Sequence, residues 1–287
     1  MKDSIHPCLW FNGQAKAAAD FYCSIFKNSK ITTETPMVVN FELNARPDEP
    51  ALHPNKFMGL NGGPKFKLNQ AISFFVNCQA VEETNEIWTK LIEGGNALMP
   101  IDQYAWSDRY GWLQDKFGLT WQIALAGKED RKQIMPCLLF TGNNFGRAEE
   151  AINLYTSVFK DSSVTTLSHY PEKEYGEGKV LFSEFKLNGH GFIAMDGPDN
   201  HAFTFNEALS FVVTCETQVE IDYYWNKLIA DGGQESRCGW LKDKFGVSWQ
   251  IIPSLLGKLM SNPEKASRVM QAIMPMNKIE IEKLVMA

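Results

Sequence analysis

Histidine and cysteine are scarce: five and six respectively among 287 residues, with no C-x-x-C pair anywhere. So few thiols cannot form a disulfide scaffold, and they read as reduced cysteines. No apolar run approaches the roughly eighteen residues that span a bilayer, and the first residues, Met1-Lys2-Asp3-Ser4-Ile5-His6-Pro7, lack the apolar stretch of a signal peptide. A surplus of positive charge is missing too. Twenty-eight basic and 34 acidic residues mix to a net charge of −6 without a basic arm or stripe, which argues against a nucleic-acid footprint. Nor is there a glycine-rich strand–turn–helix motif for a nucleotide. These absences predict a cytoplasmic protein with no membrane and no nucleic acid among its partners.

Apolar residues make up 44% of the chain and aromatic ones 12%, ample for packed cores. The length suits two domains of about 140 residues. Internal repetition says the same. Gly111 to Ile123 reads Gly-Trp-Leu-Gln-Asp-Lys-Phe-Gly-Leu-Thr-Trp-Gln-Ile, and Gly239 to Ile251 reads Gly-Trp-Leu-Lys-Asp-Lys-Phe-Gly-Val-Ser-Trp-Gln-Ile, with ten of thirteen positions identical. Upstream, Ile5, Pro7, Cys8, Leu9, Phe11 and Gly13 return as Ile134, Pro136, Cys137, Leu138, Phe140 and Gly142, while Asn69, Ala71, Ser73, Phe74 and Cys78 return as Asn206, Ala208, Ser210, Phe211 and Cys215. Collinear matches of this extent mean two copies of one domain. We place them at residues 1–127 and 132–260, with the seam near Gly127-Lys128-Glu129-Asp130-Arg131 and a helical tail over 261–287.

Within one copy, Ile5 to Phe11 suits a buried strand, and Ala15 to Phe26 carries apolar residues at helical spacing. Met37 to Leu43, Asn55 to Leu60 and Ala71 to Val76 read as strands, and Val81 to Glu93 as a helix stopped by Gly94-Gly95. Tyr110 to Leu113 and Thr120 to Leu125 close the copy around a Lys116-Phe117-Gly118 turn. The order is βαβββ twice per copy: an α+β fold in which helix-covered curved sheets enclose a cavity. In the tail, Asn262 caps a helix that begins at Pro263, and Lys278 to Val285 is a second amphipathic stretch docked on the domain.

The run Pro-Cys-Leu-Trp-Phe-Asn-Gly from Pro7, the helix with Phe21-Tyr22, and the twice-repeated Gly-Trp-Leu-x-Asp-Lys-Phe-Gly-x-x-Trp-Gln-Ile resemble the PhnB-like branch of the vicinal oxygen chelate superfamily. That group includes glyoxalases, bleomycin-resistance proteins and extradiol dioxygenases. The resemblance covers both copies and implies tandem glyoxalase-like domains, with the pairing that single-domain relatives reach as dimers supplied within one chain, as a monomeric internal pseudo-dimer or a homodimer. Some members of the branch carry a demethylubiquinone methyltransferase label. Metal-dependent members use two His and one or two Glu, one Glu on the closing strand. That position maps to Gln122 and Gln250, and a His position maps near Ala71 and Ala208, which offer no donor. His6 lies close to the first ligand position, but its counterpart is Met135. A neutral amide and one imidazole fall short of the three ligands a catalytic ion needs. The expectation is no metal and no cofactor.

If alternate residues of the first and closing strands face a cavity, Cys8, Trp10 and Gln122 line it in copy one, and Cys137 and Gln250 in copy two, with Trp112 and Trp240 as an aromatic wall. The cysteines read as buried small hydrophobes before nucleophiles, since no matched histidine stands as a base. Asp115, Asp243, Lys116 and Lys244 read as solvated turn residues or local ion pairs, and His53, His169, His190 and His201, which lack counterparts, as loop or surface residues. No catalytic residue is nominated. The function predicted is a non-metal module that binds or sequesters a small organic molecule. The alternative is a lyase or dioxygenase of the vicinal oxygen chelate type.

Overall fold

The computed structural model describes residues 5–44, 55–127, 134–198 and 201–287; His53 and most of the expected seam lie outside the described residues. Four units follow one another. The first is β1 (Ile5–Phe11), α1 (Ala15–Ile25), β2 (Lys30–Glu34), β3 (Val38–Leu43) and β4 (Asn55–Asn61). The second is β5 (Ile72–Cys78), α2 (Val81–Leu91), β6 (Asn96–Tyr104), β7 (Ser107–Gln114) and β8 (Thr120–Leu125). The third is β9 (Ile134–Phe140), α3 (Ala148–Val158), β10 (Ser163–His169), a short α4 (Glu172–Tyr175), β11 (Val180–Leu187) and β12 (His190–Asp196). The fourth is β13 (Leu209–Cys215), α5 (Gln218–Leu228), β14 (Gln234–Glu235), β15 (Trp240–Lys242) and β16 (Ser248–Pro253), after which come α6 (Leu255–Met260), α7 (Pro263–Ile273) and α8 (Ile281–Met286). No helix among the described residues is long and apolar enough to cross a membrane.

The units assemble across the repeat. Sheet I runs β14-β15-β16-β13-β1-β4-β3-β2, and sheet II runs β10-β11-β12-β9-β5-β8-β7-β6. The first unit therefore shares a sheet with the fourth, and the second with the third. The joints are antiparallel: β1 on β13, with Leu9 opposite Leu209, and β5 on β9, with Ser73 opposite Cys137. Neither mixed sheet closes into a barrel.

Strand alternation separates two faces. Ile5, Leu9 and Phe11 of β1, Trp121 and Ile123 of β8, and Trp249 and Ile251 of β16 enter one continuous core with the apolar stripes of α1, α2, α3 and α5. His6, Cys8, Gln122 and Gln250 fall on the opposite face of their strands, the far face. Within the core, each half of the chain is tied by a buried carboxylate. Asp115, in the β7–β8 turn, accepts from Tyr22 Oη of α1 at 2.9 Å, from Trp121 Nε1 at 2.9 Å, and from the amides of Phe117 and Leu119. Asp243 repeats this with Tyr155 at 2.7 Å, Trp249 at 2.9 Å, Phe245 and Val247. The turn closes through Gly118 and Gly246 at φ +90° and +89°, where a side chain would be strained. Both aspartates are 3% exposed, so the expectation of solvated turn residues is corrected. A carboxylate this deep persists because four donors surround it.

The tail supplies an edge. The amides of Cys238 and Gly239 donate to the carbonyls of Met276 and Asn277 at 2.7 and 2.8 Å. Ile279 packs on Gly239, and Ile252 of β16 joins the tail cluster of Val269, Ile273, Met276, Ile279 and Leu284. Asn262 caps α7 by accepting from the Glu264 amide, as its sequence implies.

Candidate ligand-binding faces

On the far face of sheet I, Cys8 lies opposite Ser210, which lies beside Ser248; one row along, His6 lies opposite Val212, and Gln250 stands between Val212 and Trp240. Gln250 Nε2 donates to Ser210 Oγ at 2.9 Å. The Cys8 thiol has Gln250 and Ser210 as its polar neighbours, and burial pushes its pKa up to about 12. Trp10 donates from Nε1 to the Gly63 carbonyl at 2.7 Å and meets Trp240 edge-on at 6.2 Å. His6 is pushed down to about 4, by burial first and then by the charges of Lys56 and His190, so its imidazole is neutral at pH 7.

Sheet II carries the matching arrangement with a different wall. Ser73 lies opposite Cys137, Phe75 opposite Met135, and Trp112 opposite Gln122. Gln122 donates from Nε2 to Ser73 Oγ at 2.8 Å and accepts from Tyr110 Oη at 2.7 Å. Burial pushes the Cys137 thiol up to about 12, with Gln122 and Ser73 as its polar neighbours. Neither thiol is a nucleophile at neutral pH.

The sheets group these side chains differently from the sequence expectation. Cys8 and Trp10 do not share a cavity with Gln122. They stand with Gln250 and Trp240, while Cys137 stands with Gln122 and Trp112. The cause is the joint: β1 takes β13 as its neighbour, not β5 of its own half. Both amides are also buried, 7% and 6% exposed, and held by serines. Reasoning from sequence missed those serines, although the matched pair Ser73 and Ser210 was in the repeat, and it missed Ser248 and Tyr110. His201 lies in a loop and His169 on the surface, as expected, although His169 and His190 belong to strands. His169 lies in β10, where its Nε2 contacts Glu149 Oε2 at 2.7 Å, and His190 opens β12.

Among the described residues, three buried side-chain polar atoms have no hydrogen-bond partner: His6 Nδ1, Trp112 Nε1 and Ser248 Oγ. All three belong to far-face positions. Every buried carboxylate of the core, by contrast, is fully engaged. The donors do not fit a divalent ion. His6 and Gln122 belong to different sheets, Ala71 and Ala208 sit buried without a donor, and no three His, Cys, Asp or Glu side chains converge among the described residues. An open groove of about 1090 Å³ lies elsewhere, between α5 and the tail, lined by groups such as Gln218, Asp222 and Lys278. Its Lys278–Asp222 pair at 2.6 Å is solvated and holds the tail to α5.

The family model described as 3-demethylubiquinone-9 3-methyltransferase matches residues 3–124 and again residues 132–252. A PhnB protein of Bacillus cereus, described as a putative 3-demethylubiquinone-9 3-methyltransferase, is 30% identical over 42% of this chain and 98% of its own, with a TM-score of 0.37. Glyoxalase I from Zea mays superposes with a TM-score of 0.60 at 12% identity, covering 91% of this chain and 97% of its own. The likeness to the maize protein is one of fold. No curated protein sequence matches the chain.

Proposed function

Starting from a chain that belongs to the PhnB-like 3-demethylubiquinone-9 3-methyltransferase family and carries its domain twice, we propose a non-metal module that binds or sequesters small organic molecules on the far faces of its sheets. One observation carries this reading: among the described residues, the three buried side-chain polar atoms without partners all belong to far-face positions. Leaving such an atom unpaired costs about 1–3 kcal/mol, and a ligand that pairs it recovers that cost. The neutral Cys–Ser–Gln floors and the tryptophans beside them suit an uncharged or weakly polar organic body. A cytoplasmic setting, six reduced thiols and a monomer with internal pseudo-dimer pairing complete the proposal. A lyase or dioxygenase would need an acid–base group, and His6 at a pKa of about 4 is a weak base at neutral pH. Methyl transfer is outside the reading, because the sequence has no glycine-rich nucleotide motif for a methyl donor.

The test is mass spectrometry of small molecules released when the purified protein is denatured, paired with metal analysis. Stoichiometric release of an organic compound that raises the melting temperature when added back supports the proposal. Stoichiometric metal whose chelation lowers the melting temperature overturns it, since an ion bound only by the folded state contributes to stability.

A further inference from the structure

The two far faces differ in what they ask of a ligand. On sheet I the unpartnered atoms belong to an imidazole and a hydroxyl, each able to donate or accept, so they fix little about a partner. On sheet II the atom is the indole nitrogen of Trp112, which only donates. Its missing partner is an acceptor. Beyond Gln122, the residue opposite it, the same face turns apolar: Met135, Cys137 and Ile193 form a buried cluster, with Phe75, Phe182 and Met195 packed against it. An aromatic series leads inward from solvent. Trp106, 66% exposed in the β6–β7 turn, stacks on Tyr104 at 5.0 Å, and both meet Tyr110 edge-on at 5.9 and 5.7 Å. Tyr110 continues to Phe75 at 6.3 Å, and Phe75 to Phe182 at 6.4 Å. A tryptophan two-thirds exposed beside a run of rings is a stacking surface with one side unused.

Sheet I has a shorter series, Phe66–Trp10–Trp240 at 5.1 and 6.2 Å, and there the Trp10 indole N–H already donates to the Gly63 carbonyl. The alignment of Gly111 with Gly239 puts Cys238 where Tyr110 stands, and the tail carbonyls of Met276 and Asn277 occupy the edge opposite it. We infer that the far face of sheet II, between Trp106 and Trp112, is a site for one planar aromatic molecule bearing an oxygen acceptor, a ketone or ester carbonyl. This rests on the binding function proposed above and makes it specific: one ring site per chain, on sheet II alone.

The probes are 2-acetylnaphthalene, which has the ring and the carbonyl, and 2-ethylnaphthalene, which has the ring alone. Binding of each to the full-length protein is measured by equilibrium dialysis. The expected result is a single site that prefers the acetyl compound by roughly fivefold to tenfold, the value of one hydrogen bond. Trp112→Phe, which keeps a ring and loses the donor, should remove that preference. Trp106→Ala, on an exposed turn, should weaken both probes by a similar factor. Trp240→Phe, the sheet I counterpart, should change neither, and unchanged melting temperatures for the Trp106 variant guard against a folding artefact. Equal affinity of wild type for both probes, or no binding of either, overturns the inference. So does loss of binding in Trp240→Phe or Ser248→Ala in place of the sheet II variants, an outcome that moves the ligand to sheet I and leaves the binding function itself standing.

Discussion

Asp243 and His6 are buried groups whose proton affinities were moved in opposite directions by the same cause. Burial raises Asp243 to about 6, against hydrogen bonds from Trp249, Tyr155 and two amides that pull the other way. Its folded pKa lies above the ordinary aspartate value of about 3.9, so the unfolded chain loses its proton first as pH rises. Stability from this group is therefore full below about pH 4, declines to about pH 6, and is flat beyond. The wild-type advantage over Asp243→Asn should shrink across that window by on the order of 3 kcal/mol, read from melts at pH 4 to 7. His6, lowered to about 4, has the opposite sign: stability is full above the ordinary histidine value of about 6.5 and is lost as pH falls toward 4. His6→Gln should flatten that acid limb. Replacing Asp115 by Ala removes the acceptor for four buried donors, and a loss of about 3 kcal/mol or more in denaturant unfolding is expected. That aspartate, with its Phe, Gly and Trp, explains much of the repeated motif. Much of what the sequence repeats there holds α1 and α3 to their closing turns, while the Gln, the first Trp and the Thr120/Ser248 position face the far side.

At the scale of elements, the strands legible in the sequence are those with one buried side. β1, β8 and β4 emerged within a residue or so of their observed bounds. The edge strands did not: β10 is exposed at every position and β2 at four of five, so no alternation marks either one. The tail was legible as two helices from its cap and prolines, but not its role. Two of its carbonyls complete the edge that a long hairpin, β6–β7, completes in sheet II. Truncation after Ser261 should uncover the Cys238–Gly239 amides and the apolar side chain of Ile252. The expected outcome is faster hydrogen exchange at both amides and faster alkylation of Cys238, while Cys8 and Cys137, neutral and buried, remain unlabelled. Unchanged labelling of Cys238 would show that the tail does not protect this edge.

At the scale of the whole molecule, the repeat was legible and the exchange of units was not. Four similar βαβββ units permit two pairings, and the matched residues are alike in both. Only the registers of β1 on β13 and β5 on β9 decide it. The arrangement has a direct test. Residues 1–127 expressed alone keep the Tyr22–Asp115 link but leave β1 without β13 and β5 without β9, each strand open on one side. The isolated half should dimerise or aggregate, and co-expression with residues 132–287 should give a one-to-one complex with the melting behaviour of the intact chain. A stable monomeric half with full secondary structure by circular dichroism would contradict the exchanged topology.

The joint between β1 and β13 also sets a clock for the nascent chain. Leu9 and Leu209 meet across two hundred positions of sequence. At ribosomal rates of about 5–20 residues per second, β1 waits on the order of 10–40 s before its partner has even been synthesised. Throughout that interval an apolar strand presents open amides and carbonyls, the template on which chains join one another. The first unit leaves the ribosome with its sheet unfinished, and every copy made on the same message carries the same unfinished edge. Faithful assembly thus depends on how long a growing chain is kept from its neighbours. Slower elongation or denser polysomes should lower the soluble yield before they alter anything measurable in the finished protein.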